Sequence, residues 1–136
     1  VVDQIDLIVG GLDVTVERAM KVVTLEATAI LIEETPRDTG WARANWVPQI
    51  GQPFANTAGT RELAERGTLD LSVQQGGVAE VATQYRVERG RVFITNNVPY
   101  ILLLNEGSST QAPAGYVQIG LAKAVRNAER KLRPAD

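Results

Sequence analysis

From Val16 onward, apolar residues recur at helical spacing: Val16, Ala19, Met20, Val23, Ala27, Ile30 and Leu31. Glu17, Lys21, Thr24 and Thr28 fall on the opposite face, so the pattern predicts an amphipathic helix. Asp13 is placed to cap its start. Pro36 holds Thr35 out of helical geometry, so the helix is expected to stop near Glu34. A second stripe runs through Val117, Leu121, Ala124, Val125, Ala128 and Leu132. Lys123, Arg126, Asn127, Arg130 and Lys131 cover the other face, and Pro113 is expected to open this helix.

Between the two helices the pattern breaks into short pieces. Asp38-Thr39-Gly40 signals a turn. Residues 43–50 predict a strand with Trp46 and Ile50 on one face, and Pro48 marks it as an edge strand or as its end. Residues 51–59 are expected to be a loop, and residues 60–67 either loop or one or two helical turns. Residues 69–87 predict a helix with Val73, Val78, Val81, Ala82 and Tyr85 on one face, despite Gly76-Gly77. After a turn at residues 88–90, residues 91–96 read as a second strand. Pro99 opens a short apolar helical segment to Leu104, and residues 107–111 are a small, polar loop.

The expected class is therefore α+β: long N-terminal and C-terminal amphipathic helices packed on a small antiparallel sheet with short helices and long loops. At 136 residues the chain fits one domain over 1–136. Residues 1–12 form an apolar-acidic lead and residues 107–112 a mobile arm within it. The sequence opens on Val1, which implies a removed initiator or a later start, and residues 1–12 lack the basic start of a signal peptide.

Composition mainly excludes. The chain has no cysteine and no histidine. Disulfides, thiolate chemistry and His-based hydrolysis or zinc chemistry are thereby removed. No run of about 18 apolar residues is present to cross a membrane. The net charge of −2 conceals an asymmetry. Residues 1–38 carry eight acids and three bases, whereas residues 118–136 carry five bases and two acids. Such ends either pair head to tail between copies or serve as solvated helix faces.

The chemistry that remains is thin. Glu33, Glu34 and Asp38 are close in sequence, so a small carboxylate-based hydrolase is one alternative. A DNA-binding accessory protein is another, resting on the basic face of the last helix. Against it stand the acidic overall charge and the lack of an aromatic stacking row. No phosphate-binding glycine loop, nucleophile elbow or cation-binding loop appears, and no cofactor is expected.

Three stretches together carry a resemblance. The first is Thr35-Pro36-Arg37-Asp38-Thr39-Gly40, followed by Arg43-Ala44-Asn45-Trp46 and Ile50-Gly51-Gln52-Pro53. The second runs from Phe93-Ile94-Thr95-Asn96-Asn97-Val98-Pro99-Tyr100-Ile101 into Leu104-Asn105-Glu106-Gly107-Ser108-Ser109. The third is Gln111-Ala112-Pro113-Ala114-Gly115. In order and spacing they resemble the tail-completion and neck proteins of tailed bacteriophages, of the minor-tail-protein-Z type, over about residues 13 to 130. Trp41 departs from that family, which often has a polar or basic residue there.

The resemblance implies a non-enzymatic virion protein, assembled in the host cytoplasm, that joins the head connector to the tail. It implies a homo-oligomeric ring of six or twelve copies, closed by heterologous contacts. The implied partners are a head-side connector or stopper protein and a tail terminator or tail tube protein, with genomic DNA passing through the lumen and no membrane.

Physical roles follow for the residues singled out. Pro36, Asp38, Thr39 and Gly40 are expected to end the first helix and turn the chain, with Gly40 at positive φ. Asn45 and Trp46 belong to the strand, Trp46 suiting the core. Asn96, Asn97, Pro99 and Tyr100 should form the corner between strand and helix. Candidate interface residues are Trp41, expected to be exposed in the turn, with Arg43. To these are added Gly107, Ser108, Ser109, Thr110 and Gln111 of the arm, and Lys123, Arg126 and Arg130 on the last helix.

Overall fold

A computed structural model describes residues 16–37 and 40–133. The long helix α1 (Val16–Glu34) leads into a short helix α2 (Trp41–Ala44) and strand β1 (Val47–Ile50). Helices α3 (Arg61–Glu65) and α4 (Ser72–Gln84) follow, then a 3-10 turn at Val87–Arg89 and strand β2 (Val92–Thr95). Helices α5 (Ile101–Asn105) and α6 (Tyr116–Leu132) complete the chain. The class is α+β, as the patterning implies.

The two strands pair antiparallel in the register Val47–Thr95, Pro48–Ile94, Gln49–Phe93 and Ile50–Val92. Helix α4 lies on β1 so closely that a Cβ on Gly77 would stand 2.4 Å from the Pro48 carbonyl oxygen. Ile50, Val81 and Tyr85 are buried together there, flanked by Met20 of α1 and Val92.

Helix α6 packs mainly against α1. Its buried residues are Tyr116, Gly120, Ala124, Ala128 and Leu132, at a strict spacing of four. The expected stripe placed Leu121 and Val125 inside, but Leu121 is exposed and Val125 only half-buried. Small residues win the seam because they let the two backbones approach. Gly120 faces Ile30 and Leu31, and α1 contributes Val23, Ala27 and Leu31. Lys123 pairs with Glu34 at 2.6 Å and Lys131 pairs with Glu26, so the helices run antiparallel. The acidic and basic ends thus meet within one chain at these pairs.

Other expectations change or are decided. Thr24 and Thr28, assigned to the polar face of α1, are buried. Neighbours flank this helix on more than one side, and the Thr28 hydroxyl is satisfied by the Thr24 carbonyl at 2.8 Å. The strand expected from residue 43 begins at Val47, because Gly40 at φ +82° turns the chain into the helical α2. Val73 is exposed, and Gln74 is buried in its place. The last helix starts at Tyr116, after Gly115 and not at Pro113. Residues 60–67, open between loop and helix, form α3, capped by the Thr60 hydroxyl at the Leu63 N–H. The Asp13 cap, the lead at 1–12 and the turn residues Asp38 and Thr39 lie outside the described residues.

Candidate functional site

The corner that follows α1 is built around one hydroxyl. Thr35 Oγ1 donates to the Leu31 carbonyl at 2.5 Å and accepts from Trp46 Nε1 at 2.8 Å. It also shares a 3.4 Å hydrogen bond with the Tyr116 hydroxyl at the start of α6. Three segments, the end of α1, the entry to β1 and the start of α6, therefore meet at a buried point. Each buried polar atom of this set has a partner, as a stable interior requires.

Burial pushes the Tyr116 phenol above its ordinary pKa, and the Thr35 hydroxyl partly offsets this. Tyr85 is raised as well, by burial and then by the charges of Glu17 and Glu88. A phenol with a raised folded pKa contributes stability that is fully present below about pH 10 and lost as pH climbs through the folded value. Tyr116→Phe is expected to cost about 1 kcal/mol at neutral pH. It should also flatten the alkaline loss of stability, and denaturation midpoints at neutral pH and at about pH 10.5 read both effects.

Arg43 works inside the corner. Its Nε donates to the Thr35 carbonyl at 2.6 Å and its Nη2 to the Glu33 carbonyl at 2.7 Å. A guanidinium on the last carbonyls of α1 caps that helix and meets the negative end of its dipole. Its pKa lies below the usual value through burial and the nearby Arg37 charge, with Glu33 opposing.

The asparagines and one glutamine stitch loops to the corner. The Asn45 side chain accepts from the Ala58 N–H at 2.6 Å and donates to the Ala58 carbonyl at 3.1 Å, imitating a strand neighbour for the 51–59 loop. It also donates to the Trp41 carbonyl at 2.8 Å. Asn96 reaches the Ala42 carbonyl at 2.9 Å, and Asn97 the Phe54 carbonyl at 2.6 Å. Gln74 spans the Arg43 and Trp46 carbonyls.

Trp41, expected to be exposed, is buried with Ala64 and Val98, and its ring lies 5.9 Å from that of Tyr100. Because α2 is helical, its first residue turns inward onto α3 and the 96–100 corner rather than out of a loop. Trp41 therefore presents little surface to a partner. Segment 107–112 follows α5 and is fastened at both ends. Ser108 N–H donates to the Leu103 carbonyl at 3.2 Å, the Gln111 side chain accepts from Arg37 N–H at 2.7 Å, and Ala112 is buried. Gly107 and Thr110 are exposed, and Ser109 accepts from the Gln111 N–H at 3.1 Å. Lys123 is engaged with Glu34 and Arg130 with Asn127, while Arg126 is exposed farther along α6.

Two surface features escaped the motif reading. One is an open cleft of about 360 Å3 between the end of α1, α2 and the α3–α4 region. Ile32, Ala64, Leu69 and Leu71 make it apolar, and Arg43 and Gln74 add polar groups. Among the described residues its lining contains no Asp or Glu, so it offers no pair of carboxylates. The other is α5, whose Leu102 and Leu103 are 73% and 56% exposed. A visible signal existed: Ile101-Leu102-Leu103-Leu104 sits on a one-turn helix, which can bury only one face.

No family model matches the chain, and no solved structure matches it. Among the described residues, no helix is long and apolar enough to cross a membrane, and no group of acidic residues is arranged to hold a metal ion.

Proposed function

We propose that this chain is a structural, non-catalytic subunit of a tailed-phage neck, working as a ring of six or twelve copies between head connector and tail. The observation that carries this reading is the ordered succession of the three stretches at 35–53, 93–109 and 111–115, which resembles that family over most of the chain. The corner geometry supports treating these residues as a unit: Arg43 and Trp46 both bond Thr35, Asn96 bonds the Ala42 carbonyl of α2, and Asn45 and Asn97 bond the 51–59 loop at Ala58 and Phe54. Its partners in this reading are a head-side connector or stopper and a tail terminator or tube protein, with DNA passing through the lumen. Its place is the virion, after assembly in the host cytoplasm. The hydrolase alternative finds no carboxylate pair in the cleft, and the DNA-binding alternative loses two bases of α6 to ion pairs.

Phage lacking this chain should accumulate filled heads and finished tails that stay separate, and purified protein added to such an extract should join them. Particles that join normally without it, or virion density for it away from the head–tail axis, would sink the reading.

A further inference from the structure

The cleft and the leucine pair of α5 are complementary in apolar character and in charge. Leu102 and Leu103 are adjacent on a one-turn helix and project into solvent. Glu106 follows at four and three residues' spacing, which sets its exposed carboxylate beside them. The cleft presents an apolar floor of Ile32, Leu69 and Leu71, with the positively charged Arg43 among its lining residues. Its volume of about 360 Å3 is ample for two leucine side chains. The knob and the socket sit on different elements of the same chain, each left open by the packing of the described residues.

We propose that α5 of one copy inserts Leu102 and Leu103 into the Ile32–Leu69–Leu71 cleft of the next copy, with Glu106 brought near the positive charge of that copy's Arg43, whose guanidinium keeps its bonds to the α1 carbonyls. The occupant of the cleft is thus a second copy of this chain. The contact is heterologous: each molecule uses its knob on one side and its socket on the other. Such a contact repeats until the rotation closes it into a ring or an open filament results. This deepens the ring reading by naming its surfaces, although the contact itself does not depend on the ring belonging to a phage.

The absence of native cysteine permits a direct trap. A chain with Leu102→Cys mixed with a chain carrying Leu71→Cys should form a disulfide-linked heterodimer. It should do so at least about tenfold faster than Leu102→Cys mixed with Arg126→Cys, because docking raises the local thiol concentration. Trapping registers transient encounters, so it reads out even where the purified protein is monomeric. Equal rates in the two mixtures would overturn the contact.

Mixing variants tests its direction. The double variant Leu102→Asp/Leu103→Asp lacks a knob and Leu71→Asp lacks a socket, and all three leucines are exposed enough for the fold to tolerate the change. At concentrations where the wild-type chain associates, each variant alone should bind itself at least about thirtyfold more weakly. Their equimolar mixture should regain dimers but nothing larger, since one intact knob and one intact socket remain. A mixture no larger than its components, or a knobless variant that associates like wild type, would overturn the proposal. Failed trapping together with on-axis virion density would remove this contact and leave the neck reading standing. Successful trapping with off-axis density would do the reverse.

Discussion

Trp46→Ala is expected to cost about 3–5 kcal/mol of folding stability, read from denaturant midpoints, and to leave the chain at the margin of folding. The indole is buried between β1 and the corner, and its removal opens a cavity that neighbours on separate elements cannot jointly close. The loss also strips Thr35 Oγ1 of its 2.8 Å donor. Thr35→Val keeps the shape but leaves the indole N–H buried without that acceptor, for about 1–3 kcal/mol. Because the two groups touch, the double variant should cost less than the sum of the singles. A Trp46→Ala protein within about 1 kcal/mol of wild type would mean that the corner is not a cooperative unit.

Gly77→Ala is expected to destabilise by about 1–3 kcal/mol, against the trend for helix interiors, where glycine is worth about 1 kcal/mol less than alanine. The new Cβ would lie 2.4 Å from the Pro48 carbonyl oxygen, a backbone atom held in the β1–β2 ladder. Either α4 lifts off β1 or the strand gives way. Gly76 supplies the internal control, since nothing lies within 4 Å of its hypothetical Cβ. Gly76→Ala should therefore stabilise by up to about 1 kcal/mol. Thermal unfolding of the two variants side by side reads the difference, and shifts in the same direction would refute the close α4–β1 approach.

What could be read from the chain was what local chemistry determines. Helix α1 stops at Glu34 because Pro36 follows, and Gly40 takes the positive φ its turn demands. Strand β2 was visible in its run of β-formers between Gly90 and Asn96. What could not be read depended on partners distant in sequence. The buried stripe of α6 departs from its most apolar stripe because α1 selects Gly120 over Leu121 for closeness. Thr24 and Thr28 look solvent-facing until neighbours cover α1 on more than one side. Trp41 reads as a turn residue until Gly40 swings it into a helix that faces α3. For the candidate surface, the exposed leucines were implicit in four apolar residues on one helical turn. The cleft was not, since its walls come from four separate stretches of chain.

The seam between α1 and α6 joins residues far apart in the chain: Thr35 and Tyr116 are 81 positions apart, and Glu34 and Lys123 are 89. At the ribosome, α1 emerges before α6, so the side of its Ala27–Leu31 face that α6 covers stays open until α6 has been translated. During that interval the open side of the helix is a nascent, sticky surface exposed to chaperones and chance neighbours. Completion of folding is thereby tied to completion of synthesis through α6, and a message cut short before that point yields a chain with its interior still open.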